Sequence, residues 1–312
     1  MLSRRLSRLG VHESVDAVFP AERLEQALAD DPADLDVAVV GDDGIGDCDA
    51  VVTLEYREAF CDLAWVHSIQ AGVDRFPLER LAEAGVVLTN STGIHGRTVG
   101  ETVAGYLLAF SRRLHDHAAN QCAREWDQPA WDEAFTLPGT AACVVGTGTL
   151  GRGVADVLGA LGVEVIGVRR SGEAVPGFED VHPNEALLEA VGGVEFVIAT
   201  VPLTAETEGL FDAAVFAAMD AESYFVNVAR GGVVDEPALV EALESGAIAG
   251  AALDVFETEP LPADSPLWDA ENVIVTPHCA AFTRDYYRDI AGLVTDNLER
   301  AAAGEALENR VV

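Results

Sequence analysis

The chain has 312 residues, 49% of them apolar, enough for two domains with separate cores, and contains no run of the roughly 18 uninterrupted apolar residues that a membrane span requires. Its 53 acidic residues face 19 basic ones, all arginine, for a formal net charge of −34, so nucleic acid and anionic membrane are excluded as expected partners. Without a single lysine, Schiff-base chemistry and a lysine-bound pyridoxal cofactor are excluded too.

In chain order, the opening MLSRRLSRLGVHESVD has arginines but neither the apolar core nor the cleavage site of a secretory leader; the expectation is a cytoplasmic protein. Apolar runs at Val37–Val40, Ala50–Leu54, Trp65–Ile69 and Val86–Thr89 predict strands, with helices over Ala21–Ala29 and Leu78–Ala84. This is a small α/β unit. Residues 98–118 then place Val99, Val103, Leu107, Phe110 and Leu114 on one stripe, which predicts a single long amphipathic helix suited to a domain junction. From Ala141 onward, AACVV, VEVIGV, EFVIAT, YFVNVA, AIAGAALDVF and NVIVT are wholly apolar runs, the mark of a parallel sheet covered on both faces. That sheet is complete by Pro277, and the tail from Arg284 to Val312 holds one more predicted helix, DYYRDIAGLVTDNLERAAAG, that returns to the first domain.

Cys48, Cys61, Cys122, Cys143 and Cys279 are odd in number and irregular in spacing, which predicts free thiols and not a disulfide framework or zinc site. The carboxylate excess predicts adaptation to high salt, where screening to about 3 Å removes most self-repulsion.

Gly146-Thr147-Gly148-Thr149-Leu150-Gly151 follows the strand AACVV and opens the helical stretch RGVADVLGALG. In that context the glycines signify a dinucleotide turn. Gly146 permits the bend, Gly148 admits a pyrophosphate, and Gly151 lets helix and strand close up. Phosphates are expected at the helix N-terminus. Where a carboxylate would hold the ribose of NAD, the chain has Arg169, Arg170 and Ser171. Two guanidinium groups and a hydroxyl suit a 2′-phosphate, so NADP(H) is the expected cofactor and NAD(H) a weaker one.

Three late segments carry residues fit for reducing a 2-keto acid: FVNVARGGVVDE, GAALDVFETEPLP and VIVTPHCAAFT. Arg230 can grip a carboxylate and polarise the carbonyl, His278 can supply a proton, and Glu259 can hold the imidazolium. Here the sequence resembles the D-2-hydroxyacid dehydrogenase family, through HSIQAGVDRF, NSTGIHGRTVGE, GTGTLG, NVARGGVVDE, DVFETEPLP and TPHCAAFT. The resemblance covers most of the chain and is strongest over its last 170 residues or so.

It implies an α/β fold of two Rossmann-like domains, doubly wound parallel sheets with a deep interdomain cleft. Residues 1–94 and 284–312 would form a discontinuous substrate-binding domain, and 95–283 the dinucleotide-binding domain. It implies Arg230, Glu259 and His278 as the catalytic set. Gln70, Ala71 and Gly72 would bind the substrate carboxylate beside Arg230 and His278. Thr149, Leu150, Val201, Pro202, Thr207, Val228, Ala229 and Asp254 would join the glycine turn around the cofactor, with Asp254 near the nicotinamide. A homodimer acting on a small 2-keto or 2-hydroxy acid is the family expectation.

Glu259 argues against formate dehydrogenase, where Gln is usual, and Arg169 argues against phosphoglycerate dehydrogenase. Glyoxylate/hydroxypyruvate reductase is a close alternative, and a non-catalytic dinucleotide sensor a more distant one. His115 and His117 face different directions on a helix, so no metal site is expected there. His67 and His95 flank the substrate loop and are candidates to line its pocket. Trp126 and Trp131 are expected in core packing or as caps over the cleft.

Overall fold

The computed structural model describes residues 6–29 and 35–312. The chain divides into two units: the described residues up to Ile94 together with Phe282–Val312, and His95–Ala281.

The first unit contains β1 (Arg8–His12), α1 (Ala21–Ala29), β2 (Asp36–Val40), β3 (Ala50–Thr53), β4 (Trp65–Ser68), α2 (Leu78–Ala84) and β5 (Val87–Asn90). Its strands are parallel in the order β2-β1-β3-β4-β5. Because side chains alternate along a strand, Leu9, Val11, Ala50, Val52, Trp65 and Val87 join one core. Val51, Val66 and Leu88 join the other. Both faces are therefore apolar. β1 was not expected from the sequence; in RLGVH only Leu9 and Val11 are aliphatic, too few to register as a run.

The second unit opens with α3 (Gly96–Ser111) and α4 (Leu114–Ala123). These replace the single helix expected over 98–118. Arg113 adopts a left-handed φ of 54°, which ends the α3 stripe at Phe110 and leaves Leu114 exposed. Trp126 and Trp131, expected in packing, are 96% and 93% exposed.

Next come β6 (Ala141–Val145), α5 (Thr149–Ala160), β7 (Glu164–Val168), β8 (Asp180–His182), α6 (Leu187–Ala190), β9 (Phe196–Ala199), α7 (Ala213–Ala218), β10 (Tyr224–Asn227), α8 (Glu236–Ser245), β11 (Gly250–Leu253) and β12 (Val273–Val275). The strands are all parallel, in the order β12-β11-β10-β9-β6-β7-β8. Cys143, Val145 and Phe225 point into one core; Ala142, Val144 and Val226 point into the other. The strand order reverses between β6 and β9, where the carboxyl ends of such a sheet form a ligand crevice.

Helix α9 (Tyr286–Ala303) belongs to the first unit. Its Ile290 and Val294 share a core with Leu24 and Leu28 of α1. It matches the helix expected over residues 285–304. The last residues run along β5, with the Val311 amide donating to the Leu88 carbonyl at 2.8 Å and Thr89 bridging Arg310.

Candidate active site and dinucleotide pocket

The glycine turn lies between β6 and α5, at the reversal point of the larger sheet. Gly146 has φ +105°, and a Cβ there would sit 2.9 Å from the Thr200 carbonyl carbon and the Val201 nitrogen. A Cβ on Gly151 would overlap the Gly146 carbonyl oxygen. The Thr200 hydroxyl donates to that same oxygen at 2.6 Å, tying the turn to β9. Gly148 is the N-cap of α5, supplies no side-chain cap, and has open space where a Cβ would be. Uncapped N–H groups beside open space suit a phosphate.

A cavity of about 490 Å³ adjoins this turn. Gly146 and Gly148 line it at one end, with Val201, Pro202 and Thr207 from the segment after β9. The Thr207 hydroxyl donates to the Pro202 carbonyl at 2.6 Å, which fixes that wall. Arg169, Arg170 and Ser171, directly after β7, line the cavity as well. A volume of this order with glycine, arginine and hydroxyl lining fits a dinucleotide site. Thr149 and Leu150 form the first turn of α5.

Two carboxylates that sequence reasoning missed share the arginine end: Glu173 and Glu206. The Ser171 hydroxyl donates to Glu173 at 3.4 Å. The Glu206 carboxyl is held below its ordinary range, first by the Thr204 hydroxyl, then by its own backbone amide, with the Arg170 charge adding to both. Glu173 lies two residues past Ser171 and could have been found from the sequence. Glu206 reaches the pocket only through the strand order.

The three chemical segments come from successive strand ends. Arg230 follows β10 beyond the buried Val228 and Ala229. Its backbone is bracketed by Asn227, whose side-chain amide donates to the Arg230 carbonyl at 3.0 Å and accepts from the Ala229 amide at 3.0 Å. The Arg230 guanidinium donates to the Ala229 carbonyl at 2.7 Å. A Cβ on Gly231 would overlap the Phe256 carbonyl, so only glycine lets the Arg230 turn close onto the turn after β11.

That second turn carries Glu259, which accepts from the Phe256 amide through Oε1 at 3.2 Å. Its other oxygen, Oε2, lies 2.7 Å from Nδ1 of His278. His278, on the turn after β12, has a left-handed φ of 51°, a conformation that a non-glycine residue keeps only when its surroundings hold it. Asp254 is 2% exposed; its oxygens accept from the Thr276 hydroxyl and from the amides of Cys279 and Ala280.

Gln70, Ala71 and Gly72 belong to the first unit and follow β4. The Asn90 amide donates to the Ala71 carbonyl at 2.6 Å, and the Ser91 amide to the Gln70 carbonyl at 3.1 Å. The loop is thus pinned to β5. His67 does not line a pocket: it is fully buried between Thr89 and Ser91, and burial alone pushes its pKa down to about 3. His95 is buried at the start of α3 and is pushed down to about 4, first by burial and then by the charge of Arg230.

Comparison with known proteins identifies the chain's relatives. The family model described as D-isomer specific 2-hydroxyacid dehydrogenase, NAD binding domain, matches residues 104–280. Glyoxylate/hydroxypyruvate reductase B of Pectobacterium carotovorum is 36% identical over 249 residues, spanning 78% of this chain and 77% of its own. Among solved structures, a D-isomer specific 2-hydroxyacid dehydrogenase family protein of Aeromonas salmonicida superposes with a TM-score of 0.86 at 32% identity, covering 99% of both chains. A D-isomer specific 2-hydroxyacid dehydrogenase of Xanthobacter autotrophicus, in complex with NADPH and MES, gives 0.82 at 33% identity over 98% of each.

Proposed function

The chain belongs to the D-isomer specific 2-hydroxyacid dehydrogenase family, and from that premise we propose that it reduces small 2-keto acids to D-2-hydroxy acids, with NADP(H) preferred over NAD(H). The observation that carries the reading is the 2.7 Å contact between His278 and Glu259, in the same unit as the glycine turn and Arg230.

The nicotinamide, when bound, supplies the hydride that reaches C2 of the keto acid. Arg230 holds the carboxylate and polarises the carbonyl oxygen, stabilising negative charge as it develops. Glu259 accepts from Nδ1–H of His278, which leaves the Nε2 proton for the alkoxide. The first unit is the proposed substrate-binding domain, with Gln70, Ala71 and Gly72 as its proposed substrate residues. The second unit is the proposed dinucleotide-binding domain.

Arg169, Arg170 and Ser171 support the NADP(H) preference, because a 2′-phosphate accepts charge-assisted hydrogen bonds from guanidinium groups. The relative from Xanthobacter holds NADPH. Glyoxylate and hydroxypyruvate are the first substrates to try, since the Pectobacterium relative carries both in its name. The proposed setting is the cytoplasm. The proposed assembly is a homodimer, in which a second copy covers the indoles of Trp126 and Trp131.

The test is NADPH and NADH oxidation with a panel of 2-keto acids in molar potassium chloride, with mass measured by light scattering. Turnover by the wild type and loss of it in His278→Asn and Arg230→Gln are expected. No turnover with any keto acid would leave dinucleotide sensing as the better reading.

A further inference from the structure

We infer that Tyr106 and Thr276 are positioning residues, and that together with Asp254 they hold the turn on which His278 acts. This rests on the reading of His278 as the proton donor.

His278 sits at φ +51°, and its amide donates to the Asp254 carbonyl at 2.8 Å and the Thr276 carbonyl at 3.1 Å. The next two amides, Cys279 and Ala280, donate to the Asp254 carboxylate, to Oδ1 and Oδ2 respectively, each at 2.9 Å. One buried side chain therefore holds the two residues that follow His278. A third donor reaches the same carboxylate: the Thr276 hydroxyl, 2.6 Å from Oδ1.

With its single proton given to Asp254, the Thr276 hydroxyl must be the acceptor toward Tyr106, whose hydroxyl lies 2.6 Å away. The order of donation is fixed: Tyr106 to Thr276 to Asp254. Burial pushes the Tyr106 phenol up to about 12, so the first donor keeps its proton throughout the neutral range. Chains ending on a carboxylate are short and strong.

Tyr106 is on α3, and one turn earlier the Thr102 hydroxyl donates to the Ala280 carbonyl at 2.8 Å. Residues i and i+4 share a helix face, so α3 grips the His278 turn at both of its ends. The helix is itself seated without slack. A Cβ on Gly100 would approach the Gly153 oxygen of α5 to 2.5 Å, and one on Gly153 would overlap the Gly96 carbonyl. Because α5 begins at the glycine turn, α3 sets the depth of the acid relative to the dinucleotide pocket.

Tyr106→Phe removes only the hydroxyl and leaves the ring in its apolar core. A displacement of the donor by a fraction of an ångström lowers kcat about tenfold while the dissociation constant for NADPH stays within about twofold. Thr276→Val does the same, and Thr276→Ser, which keeps the hydroxyl, restores turnover. The imidazole ¹⁵N resonances of His278, assigned with His278→Asn and read at fixed pH, move in Tyr106→Phe and Thr276→Val. Unchanged kcat, or a fall matched by equal loss of NADPH binding, would overturn the inference. The resonances decide it even if the wild type turns over no keto acid: movement sustains the positioning role while the dehydrogenase reading fails, and no movement removes the role.

Discussion

Glu259 and His278 come from turns after two neighbouring strands, yet Oε2 of one lies 2.7 Å from Nδ1 of the other. The pair is about one-third exposed; its value therefore lies in orienting the ring and not in static stability. His278→Asn removes the proton donor and lowers kcat for keto-acid reduction by about 10²- to 10⁴-fold. Glu259→Gln keeps a hydrogen-bonding side chain but loses the charge, and falls between that variant and the wild type. Steady-state kinetics and NADPH fluorescence titration check both, with cofactor binding preserved in each.

The arginine end of the pocket carries its own counter-charges. Arg169→Asp adds a carboxylate beside Glu173 and Glu206 and turns the preference toward NADH. The ratio of kcat/KM for NADPH over NADH drops by at least about tenfold, equivalent to about 1.4 kcal/mol. Glu206→Gln moves the same ratio the other way, since it removes a negative charge that competes with the 2′-phosphate for the field of Arg170. An unchanged ratio in Arg169→Asp would show that the loop does not read the 2′ position.

Much of this was legible in the sequence because the chemistry sits at strand ends and strands announce themselves. GTGTLG, Arg230, Glu259 and His278 each follow an apolar run, so a parallel sheet necessarily places them along one edge. What stayed hidden had no run to mark it. The i+4 spacing from Phe110 to Leu114 persists straight through the left-handed Arg113, so periodicity alone could not show the break. Glu206 and Thr276 act through partners 36 and 170 residues away, Arg170 and Tyr106, and such pairings exist only once the fold is made.

Helix seating gives a third test. Gly153→Ala inserts a methyl into the contact with Gly96, and the helices must separate. Overpacking of this kind costs about 1–3 kcal/mol, read as a lower urea midpoint at unchanged slope. Because α3 also holds the His278 turn, kcat in the folded fraction declines as well. A fully stable, fully active Gly153→Ala would show that the two helices slide freely.

The protonation state of His67 follows from its neighbours. The Ser91 hydroxyl donates to the Ser68 carbonyl at 2.9 Å, so it accepts from His67 Nε2–H at 3.1 Å. Nδ1 is then the acceptor, and takes the Thr89 hydroxyl proton at 2.8 Å. Thr89 in turn accepts from the Trp65 indole at 2.8 Å. Every position around the ring is filled by the neutral form, and burial lowers the pKa from 6.5 to about 3. Between those two values the unfolded chain binds a proton that the folded chain refuses. Stability contributed by the neutral ring is therefore complete above pH 6.5 and is lost as pH falls toward 3. At pH 5 the loss is about 2 kcal/mol. His67→Gln offers one acceptor and one donor without titrating. Urea unfolding from pH 7 to 4.5 should decline less steeply in this variant than in the wild type, the difference approaching one proton. Parallel curves would mean that the folded chain protonates His67 as readily as the unfolded one.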